Sequence, residues 1–260
     1  DNPKHAQGRH LLGQLLFDDN NFAAAEKELE RALRLGAGND VLPLLVQAQL
    51  AQQRLSEAQK VLESQWDESF QPSQRWMYLG NIHLARGKLN DAEAAYYQSL
   101  QVADNPKATL GLALTARARH SLEESLGILE PIVDDADVGK QAKPLKAELL
   151  LELNRAEEAL PLLDSIIADN PDHMSVKLAR GRAHLMLKQY DLARKDLETI
   201  PEELHNAPPY LLLNGMLAMH DQDYQSAHKA ASEILQQFPN NPRALLLAGS
   251  ALYMNSDYPN

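Results

Sequence analysis

Trp76-Met77-Tyr78-Leu79-Gly80, followed by Asp91-Ala92-Glu93-Ala94-Ala95-Tyr96, is the stretch that decides the fold of this 260-residue chain. Its small residues Gly80 and Ala92 lie 12 positions apart, and the polar segment Arg86-Gly87-Lys88 separates the two halves. Apolar residues at spacings of i, i+3, i+4 and i+7 mark one buried face of an amphipathic helix. The stretch therefore predicts two antiparallel helices joined by a short polar turn.

The same two-helix pattern returns along the chain every 33 or 34 residues. The small residue of the second helix recurs as Ala25, Ala58, Ala92, Ser125, Ala159, Ala193 and Ala227. A mostly small position of the first helix, 12 residues earlier, holds Gly13, Val46, Gly80, Ala113, Ala147, Gly181 and Gly215. A two-helix unit cannot bury its own apolar face, so the repeats are predicted to stack into a continuous core.

This pattern resembles the tetratricopeptide repeat (TPR) family over essentially the whole chain. The family places Trp, Leu, Gly and Tyr in the first helix and Ala, Phe, Ala and Pro in the second, as in 76–96 and in Gly181 with Ala193, Leu197 and Pro201. The resemblance implies an all-α TPR helix-turn-helix solenoid, a right-handed superhelix forming a single domain over residues 1–260. We expect seven complete repeats and one extra helix, with boundaries at 4–37, 38–71, 72–105, 106–139, 140–172, 173–206, 207–241 and a partial repeat at 242–260.

A shorter stretch has a narrower resemblance. Residues 26–37, running on to Val41-Leu42-Pro43-Leu44-Leu45, look like the TPR-repeat lipoprotein of exosortase/PEP-CTERM exopolysaccharide systems. The distinguishing part is the linker Leu35-Gly36-Ala37. This resemblance implies a bacterial cell-envelope protein on the periplasmic side, with a lipid anchor upstream of the sequence. Because the chain lacks an initiator Met and stops soon after an apolar run, we expect a fragment of a longer array.

Composition excludes several classes of protein. The chain carries 36 acidic and 25 basic residues, a net charge of −11, whereas a nucleic-acid binder needs a basic face. We therefore predict no nucleic-acid partner. The absence of cysteine excludes disulfides, thiolate zinc sites, iron–sulfur clusters and cysteine nucleophiles. No apolar run approaches the ~20 residues of a membrane-spanning helix, so membrane attachment is expected only through the anchor.

No set of residues has the spacing of a catalytic, cofactor or metal site. His83 and His184 occupy the same position of the repeat, but they lie three repeats apart and so cannot share a metal. His220 and His228 have no carboxylate at the spacing of a metal ligand. Gly36-Ala37-Gly38 follows a helix rather than a strand, which favours a helix cap over a dinucleotide loop. The sequence therefore predicts no enzyme activity, no catalytic residue, no cofactor and no metal.

The family register predicts a partner-binding groove on the concave surface, which the first helices of successive repeats line. The predicted groove residues are His10, Gln14, Phe17, Gln47, Leu50, Met77, Tyr78, Asn81, Leu84, Leu114, Arg117, Glu148, Arg182, Leu185, Met216 and Met219. Leu and Met fill many of the places where co-chaperone TPR domains use Lys, Asn and Arg to grip a carboxylate, so that clamp is absent. Two alternatives remain for these apolar side chains: exposure in the groove, or burial between adjacent first helices.

We expect a non-catalytic scaffold that binds a peptide or partner protein in this groove. The alternative is a carbohydrate-binding or carbohydrate-active helical-repeat protein of the cell envelope. That function would need paired carboxylates in a closed pocket or exposed aromatic platforms, and the chain has only 14 aromatic residues. The last helix, from Pro242 to Met254, lacks the second helix that should begin near Asp257-Tyr258. We therefore expect self-association through residues 242–258.

Overall fold

A computed structural model of the chain describes residues 3–67 and 70–255, and every regular element in this part is helical. The described residues form 15 α-helices and three short 3₁₀ helices, and no β-strand occurs among them. The predicted all-α class and the predicted helix pairs are therefore confirmed. The prediction that a further helix starts near Asp257-Tyr258 concerns residues outside the described part of the chain.

Contacts between Cα atoms divide the chain into two compact units, residues 1–139 and 140–260. The first unit contains α1 (Pro3–Asp18), α2 (Phe22–Arg34), α3 (Leu42–Ala51), α4 (Leu55–Ser64), α5 (Pro72–Ala85), α6 (Leu89–Val102), α7 (Pro106–Ala118) and α8 (Leu122–Leu129). From the boundary onward follow α9 (Gly139–Glu152), α10 (Ala156–Asp169), α11 (Met174–Met186), α12 (Tyr190–Glu198), α13 (Pro208–His220), α14 (Tyr224–Gln237) and α15 (Pro242–Met254). The 3₁₀ helices are Asn39–Val41, Glu130–Ile132 and Glu202–Leu204. The single solenoid predicted over residues 1–260 stays a prediction.

Odd-numbered helices are the first helices of the predicted repeats, and even-numbered helices are the second. Several of them begin at an Asn or Asp whose side-chain oxygen accepts a backbone N–H. Asn21, Asn105 and Asp223 each accept from the residue three positions further on, at 3.0–3.4 Å. Asn241 accepts from the amides of Arg243 and Ala244, both at 3.1 Å. Such a cap stabilises a helix by about 1 kcal/mol, which explains why the helices start at these residues.

The turn inside each repeat has one conformation in all seven pairs. One residue of every turn is left-handed, with φ between 59° and 71°: Asn20, Gln53, Gly87, His120, Asn154, Lys188 and Gln222. The amide of the following residue donates to the carbonyl five positions back at 2.8–3.0 Å, as in Arg54 to Gln49 and Gln189 to His184. This bond closes a Schellman motif, which satisfies carbonyls left open at the end of the first helix. The conformation of the turn therefore recurs from repeat to repeat, as the pair of helices does.

The predicted small positions of the second helices lie in the core. All seven, from Ala25 to Ala227, are buried with 0% exposure. The polar member, Ser125, satisfies its hydroxyl by donating to the carbonyl of Ala113 at 2.7 Å. In the first unit a continuous apolar cluster around these positions includes Leu29, Leu62 and Tyr96. In the second unit Ala193 packs with Leu197 and Leu213, while Ala227 packs with Leu247.

A half-buried ion pair joins α1 to α2 in the first unit. Arg9 Nη1 donates to Glu28 Oε2 at 2.6 Å, and Arg31 contacts the other carboxylate oxygen. Burial raises the pKa of Glu28, but the two guanidinium groups outweigh burial, so that the pKa lies below its ordinary value of 4.5. The charged form of Glu28 is therefore part of the folded structure.

Candidate functional site: the first-helix faces

All 16 predicted groove residues lie on odd-numbered helices. His10, Gln14 and Phe17 are on α1, Gln47 and Leu50 on α3, Met77, Tyr78, Asn81 and Leu84 on α5, and Leu114 and Arg117 on α7. Glu148 is on α9, Arg182 and Leu185 on α11, and Met216 and Met219 on α13. Neighbouring odd-numbered helices contact each other, from α1 to α7 in the first unit and from α11 to α15 in the second. We call the surface that these residues form in each unit its first-helix face.

Most of the predicted residues reach the surface, but two do not. Met77 and Tyr78 retain 4% and 5% exposure, because both pack in the core of the first unit. The Tyr78 ring lies 5.9 Å from the ring of Trp66, and burial raises the pKa of Tyr78 to about 12. These two residues therefore present almost no surface to a partner, which corrects their place in the predicted groove. Leu114 and Met216 are the exposed apolar members, at 38% and 39%.

Asn81 is held in place from beneath by a buried tyrosine. Tyr96, which comes from α6, donates its hydroxyl proton to Asn81 Oδ1 at 2.7 Å. The tyrosine ring reaches this position between Gly80 and Gly111, where neither glycine has a Cβ to obstruct it. Asn81 Nδ2 also approaches Met77 Sδ at 3.3 Å. The amide is thus fixed by the core before any partner arrives, which lowers the entropy cost of a hydrogen bond to it.

Gln47 lies between two first helices of the first unit. Its Nε2 donates to the carbonyl of Pro43, on its own helix α3, at 3.2 Å. Its side chain also hydrogen-bonds to Tyr78 on α5, which partly offsets the effect of burial on the Tyr78 pKa. Gln47 is therefore linked to its own helix α3 and to α5, and the exposed apolar surface of Leu114 on α7 belongs to the same face.

In the second unit, Arg182 is the main polar group of the first-helix face. Its Nη2 donates to the backbone carbonyl of Leu151 on α9 at 3.1 Å. Burial lowers the pKa of Arg182 and the positive charge of Arg243 lowers it further, while Glu152 and Glu148 oppose the change. An arginine keeps its charge in proteins and carries five N–H donors. Arg182 therefore supplies a positive, partly desolvated donor on α11, the helix that also carries Leu185 and that contacts α13 with its two methionines.

The histidines have structural neighbours. His184 Nδ1 lies 2.7 Å from Gln189 Oε1, and its Nε2 lies 3.8 Å from Asp196 Oδ2. Asp196 is itself held by Arg180, whose Nη2 donates to it at 2.6 Å. Across residues 3–67 and 70–255, no three His, Asp or Glu side chains lie together as a metal-ligand group. In the same ranges no helix is long and apolar enough to cross a membrane.

Arg243 is a charged residue close enough to Arg182 to affect its pKa, and the sequence prediction did not include it. It lies in the first turn of α15, and its charge acts on Arg182. The register did not indicate it, because Arg243 aligns with Pro209 of α13, which is not among the predicted groove residues.

Comparison with protein families identifies the class to which the chain belongs. Models described as tetratricopeptide repeat-like domain and tetratricopeptide repeat match residues 6–115, 150–216 and 212–260. Together they leave only residues 1–5 and 116–149 unmatched. The chain therefore belongs to the tetratricopeptide repeat family, whose members generally mediate protein–protein interaction and peptide binding. No curated protein matches the sequence.

Solved structures with the same fold have low sequence identity. A tetratricopeptide repeat protein from Parabacteroides merdae is 14% identical, with a TM-score of 0.61 over 96% of this chain and 99% of that one. The APC/C hetero-tetramer Cut9-Hcn1 gives a TM-score of 0.72 at 16% identity, over 96% of this chain and 48% of that one. YrrB, described as a TPR protein with an unusual peptide-binding site, gives 0.51 at 13% identity, over 75% and 97%. At such identities the similarity establishes the fold alone.

Proposed function

We propose that the chain is a non-catalytic scaffold whose first-helix faces bind a segment of a partner protein. The main support for this proposal is the composition of the second unit's face. The exposed Met216 lies on α13, which contacts the helix α11 that carries Arg182. Methionine adapts to irregular apolar partners, and a partly desolvated guanidinium recognises a carbonyl or carboxylate group. A peptide with an apolar residue near an acidic residue or an exposed carbonyl fits this combination.

The first unit supports the same function with different chemistry. Its face offers Leu114 as an apolar contact and Asn81 as an amide fixed by Tyr96. An amide held in one orientation suits the backbone of an extended peptide, which presents alternating donors and acceptors. The membership of the family, whose proteins bind proteins and peptides, supports this proposal in general terms.

Selection of a peptide from a random displayed library tests the proposal. We expect an enriched consensus whose synthetic peptide binds in calorimetry, and we expect Met216→Asp and Arg182→Ala to weaken binding at least tenfold. Leu192→Asp is the matched control, because Leu192 is equally exposed at 42% but lies on the second helix α12. If the control weakens binding as much as Met216→Asp does, or if no peptide is enriched, the proposal is wrong.

The alternative of carbohydrate binding has less support from the side chains. Within the part of the chain that the structure describes, the exposed aromatic residues are Tyr97 on α6, Phe238 at the end of α14 and Tyr253 on α15. They are distributed over different elements instead of forming one platform on a first-helix face. Retardation of the protein in a gel containing soluble exopolysaccharide would favour the alternative over peptide binding.

We also propose a location in the bacterial cell envelope, on the periplasmic side, within an exopolysaccharide/PEP-CTERM system. This proposal rests only on the resemblance of residues 26–45, which form the end of α2, its connection and the start of α3. Fractionation of the native host with an antibody tests it. We expect the protein in the membrane fraction, released by detergent and labelled by radioactive palmitate. Recovery in the cytosol without label would contradict it.

A further inference from the structure

Arg182 differs from the other arginine on its helix, because it has no carboxylate partner within the chain. Arg180, two residues earlier on α11, donates to Asp164 at 2.8 Å and to Asp196 at 2.6 Å. Across residues 3–67 and 70–255, the guanidinium of Arg182 makes one hydrogen bond, to the carbonyl of Leu151, and no ion pair. Since an arginine has five N–H donors, four donors of Arg182 remain for a ligand.

The surroundings of Arg182 favour a negatively charged ligand. Burial is the main cause that lowers the pKa of Arg182, so part of its guanidinium is removed from water. Arg243 adds a second positive charge, and the attraction of Glu152 and Glu148 on α9 does not cancel the two effects. A hydrogen bond from a guanidinium is stronger to a carboxylate than to a neutral carbonyl, above all where water is partly excluded. A carboxylate is therefore the group that suits Arg182 best.

The residues that correspond to Arg182 and Leu185 in the next repeat are apolar. They are Met216 and Met219 on α13, each 34 residues further along the chain. Residues three apart on a helix lie on one face, so both helices present their pair on the first-helix face. Met216 is the more exposed of the two methionines. A peptide that passes from α11 to α13 therefore meets a positive charge first and an apolar side chain next.

The distance between the two helices sets the spacing of residues in such a peptide. Helices α11 and α13 contact each other, and the axes of packed helices lie roughly 8–10 Å apart. An extended chain rises about 3.3 Å per residue. An extended peptide therefore covers the distance from α11 to α13 in about three residues.

We propose that the second unit's first-helix face selects peptides in which a carboxylate lies about three residues from a large apolar side chain, with Arg182 as the specificity-determining residue. The carboxylate binds Arg182 and the apolar side chain packs on Met216. It belongs either to Asp or Glu or to the end of the peptide. A peptide without a carboxylate leaves the partly desolvated guanidinium unpaired, which costs affinity. This inference rests on the proposed scaffold function and adds the chemistry of the ligand to it.

Changes to the peptide test the inference without changing the protein. The probe is the synthetic peptide selected from the displayed library, and calorimetry measures its affinity. Each Asp or Glu is replaced in turn by Asn or Gln, and a further version carries a C-terminal amide. We expect one of these versions to bind about tenfold more weakly or worse, since a hydrogen bond to a charged group is lost. A loss on side-chain replacement assigns the contact to that side chain, and a loss on amidation assigns it to the chain end. If no version loses affinity, the inference is overturned.

The spacing is tested on the same peptide. Two glycines inserted between the acidic and the apolar residue should weaken binding, because the two groups no longer reach α11 and α13 together. Unchanged affinity would overturn the arrangement across the two helices.

A protein variant tests which residue binds the carboxylate. Arg182→Gln should weaken binding of the unmodified peptide by about tenfold or more, and should bind the neutralised peptide as well as the unmodified one. Lys195→Gln is the matched control, since it removes one positive charge from an exposed position on the second helix α12. The control should stay within about twofold of the wild type. If Arg182→Gln still prefers the charged peptide as strongly as the wild type does, or if the control loses as much affinity, the inference is overturned.

These results separate the inference from the proposed function on which it rests. Peptide binding that survives every neutralisation overturns the preference for a carboxylate and leaves the scaffold function in place. A protein that binds no selected peptide overturns both. The changes to the peptide decide the question even if Arg182→Gln fails to fold, which circular dichroism would show.

Discussion

Replacing Gly80 by alanine tests how closely the helices of the first unit approach each other. A Cβ at this position would lie 2.5, 2.6 and 2.9 Å from three ring atoms of Tyr96. The ring has no room to withdraw, because it is fully buried and Gly111 lies against it as well. Overpacking of this kind costs about 1–3 kcal/mol, while alanine in a helix interior regains up to about 1 kcal/mol over glycine. We expect a net loss of about 1–2 kcal/mol in the free energy of unfolding.

Gly127→Ala is the matched control for this substitution. Gly127 lies on α8 in the same unit, and apart from its neighbours and the backbone of its own helix no described atom lies within 4 Å of the position where its Cβ would be. Alanine there should raise stability by about 0.5–1 kcal/mol. Both tryptophans, Trp66 and Trp76, are in the first unit, so their fluorescence during urea unfolding reports this unit specifically. If Gly80→Ala is as stable as Gly127→Ala, the close approach is not a constraint and the packing described for Tyr96 is wrong.

Three further substitutions are read by the same fluorescence assay. Tyr96→Phe removes the hydrogen bond to Asn81 and should cost about 1 kcal/mol; an unchanged unfolding midpoint would show that this bond is not formed. Gln53→Gly should stabilise the unit by about 1 kcal/mol because Gln53 has φ +59°, and destabilisation would contradict the left-handed turn. Glu28→Gln should flatten the pH dependence of stability. The pKa of Glu28 is lower in the folded chain than its ordinary 4.5, so its contribution is complete above pH 4.5 and is lost as pH falls through the folded value. An equal acid-induced loss in the variant and the wild type would refute this role.

The repeat register could be predicted from the sequence because it rests on residue size alone. A small residue every 33 or 34 positions is needed wherever two helices cross closely, and all such positions of the second helices are buried. The starts of the second helices follow the same register, since Tyr190 and Tyr224, each three residues before a buried alanine, are the first residues of α12 and α14. These features are local, so a single sequence contains them.

The burial of individual side chains on the first-helix face could not be predicted in the same way. Met77 is buried in the core of the first unit, whereas Met216 on α13 is exposed. Trp66, which follows α4, packs against the ring of Tyr78 and so contributes to the burial of Tyr78. That contact joins segments whose arrangement no repeat pattern specifies. The left-handed turns were not predicted, because Gln53, Lys188 and Gln222 hold three of the seven positions and are residue types that rarely adopt this conformation.

The most direct test of the central claim uses the six methionines as probes. Labelling their methyl groups with ¹³C places reporters on the second unit's face at Met216 and Met219, in the core at Met77 and at the end of α15 at Met254. On titration with the selected peptide, we expect the Met216 and Met219 signals to move and to saturate together, while the Met77 signal stays in place. Saturable binding that leaves Met216 and Met219 unmoved would contradict the claim that the first-helix face is the binding site.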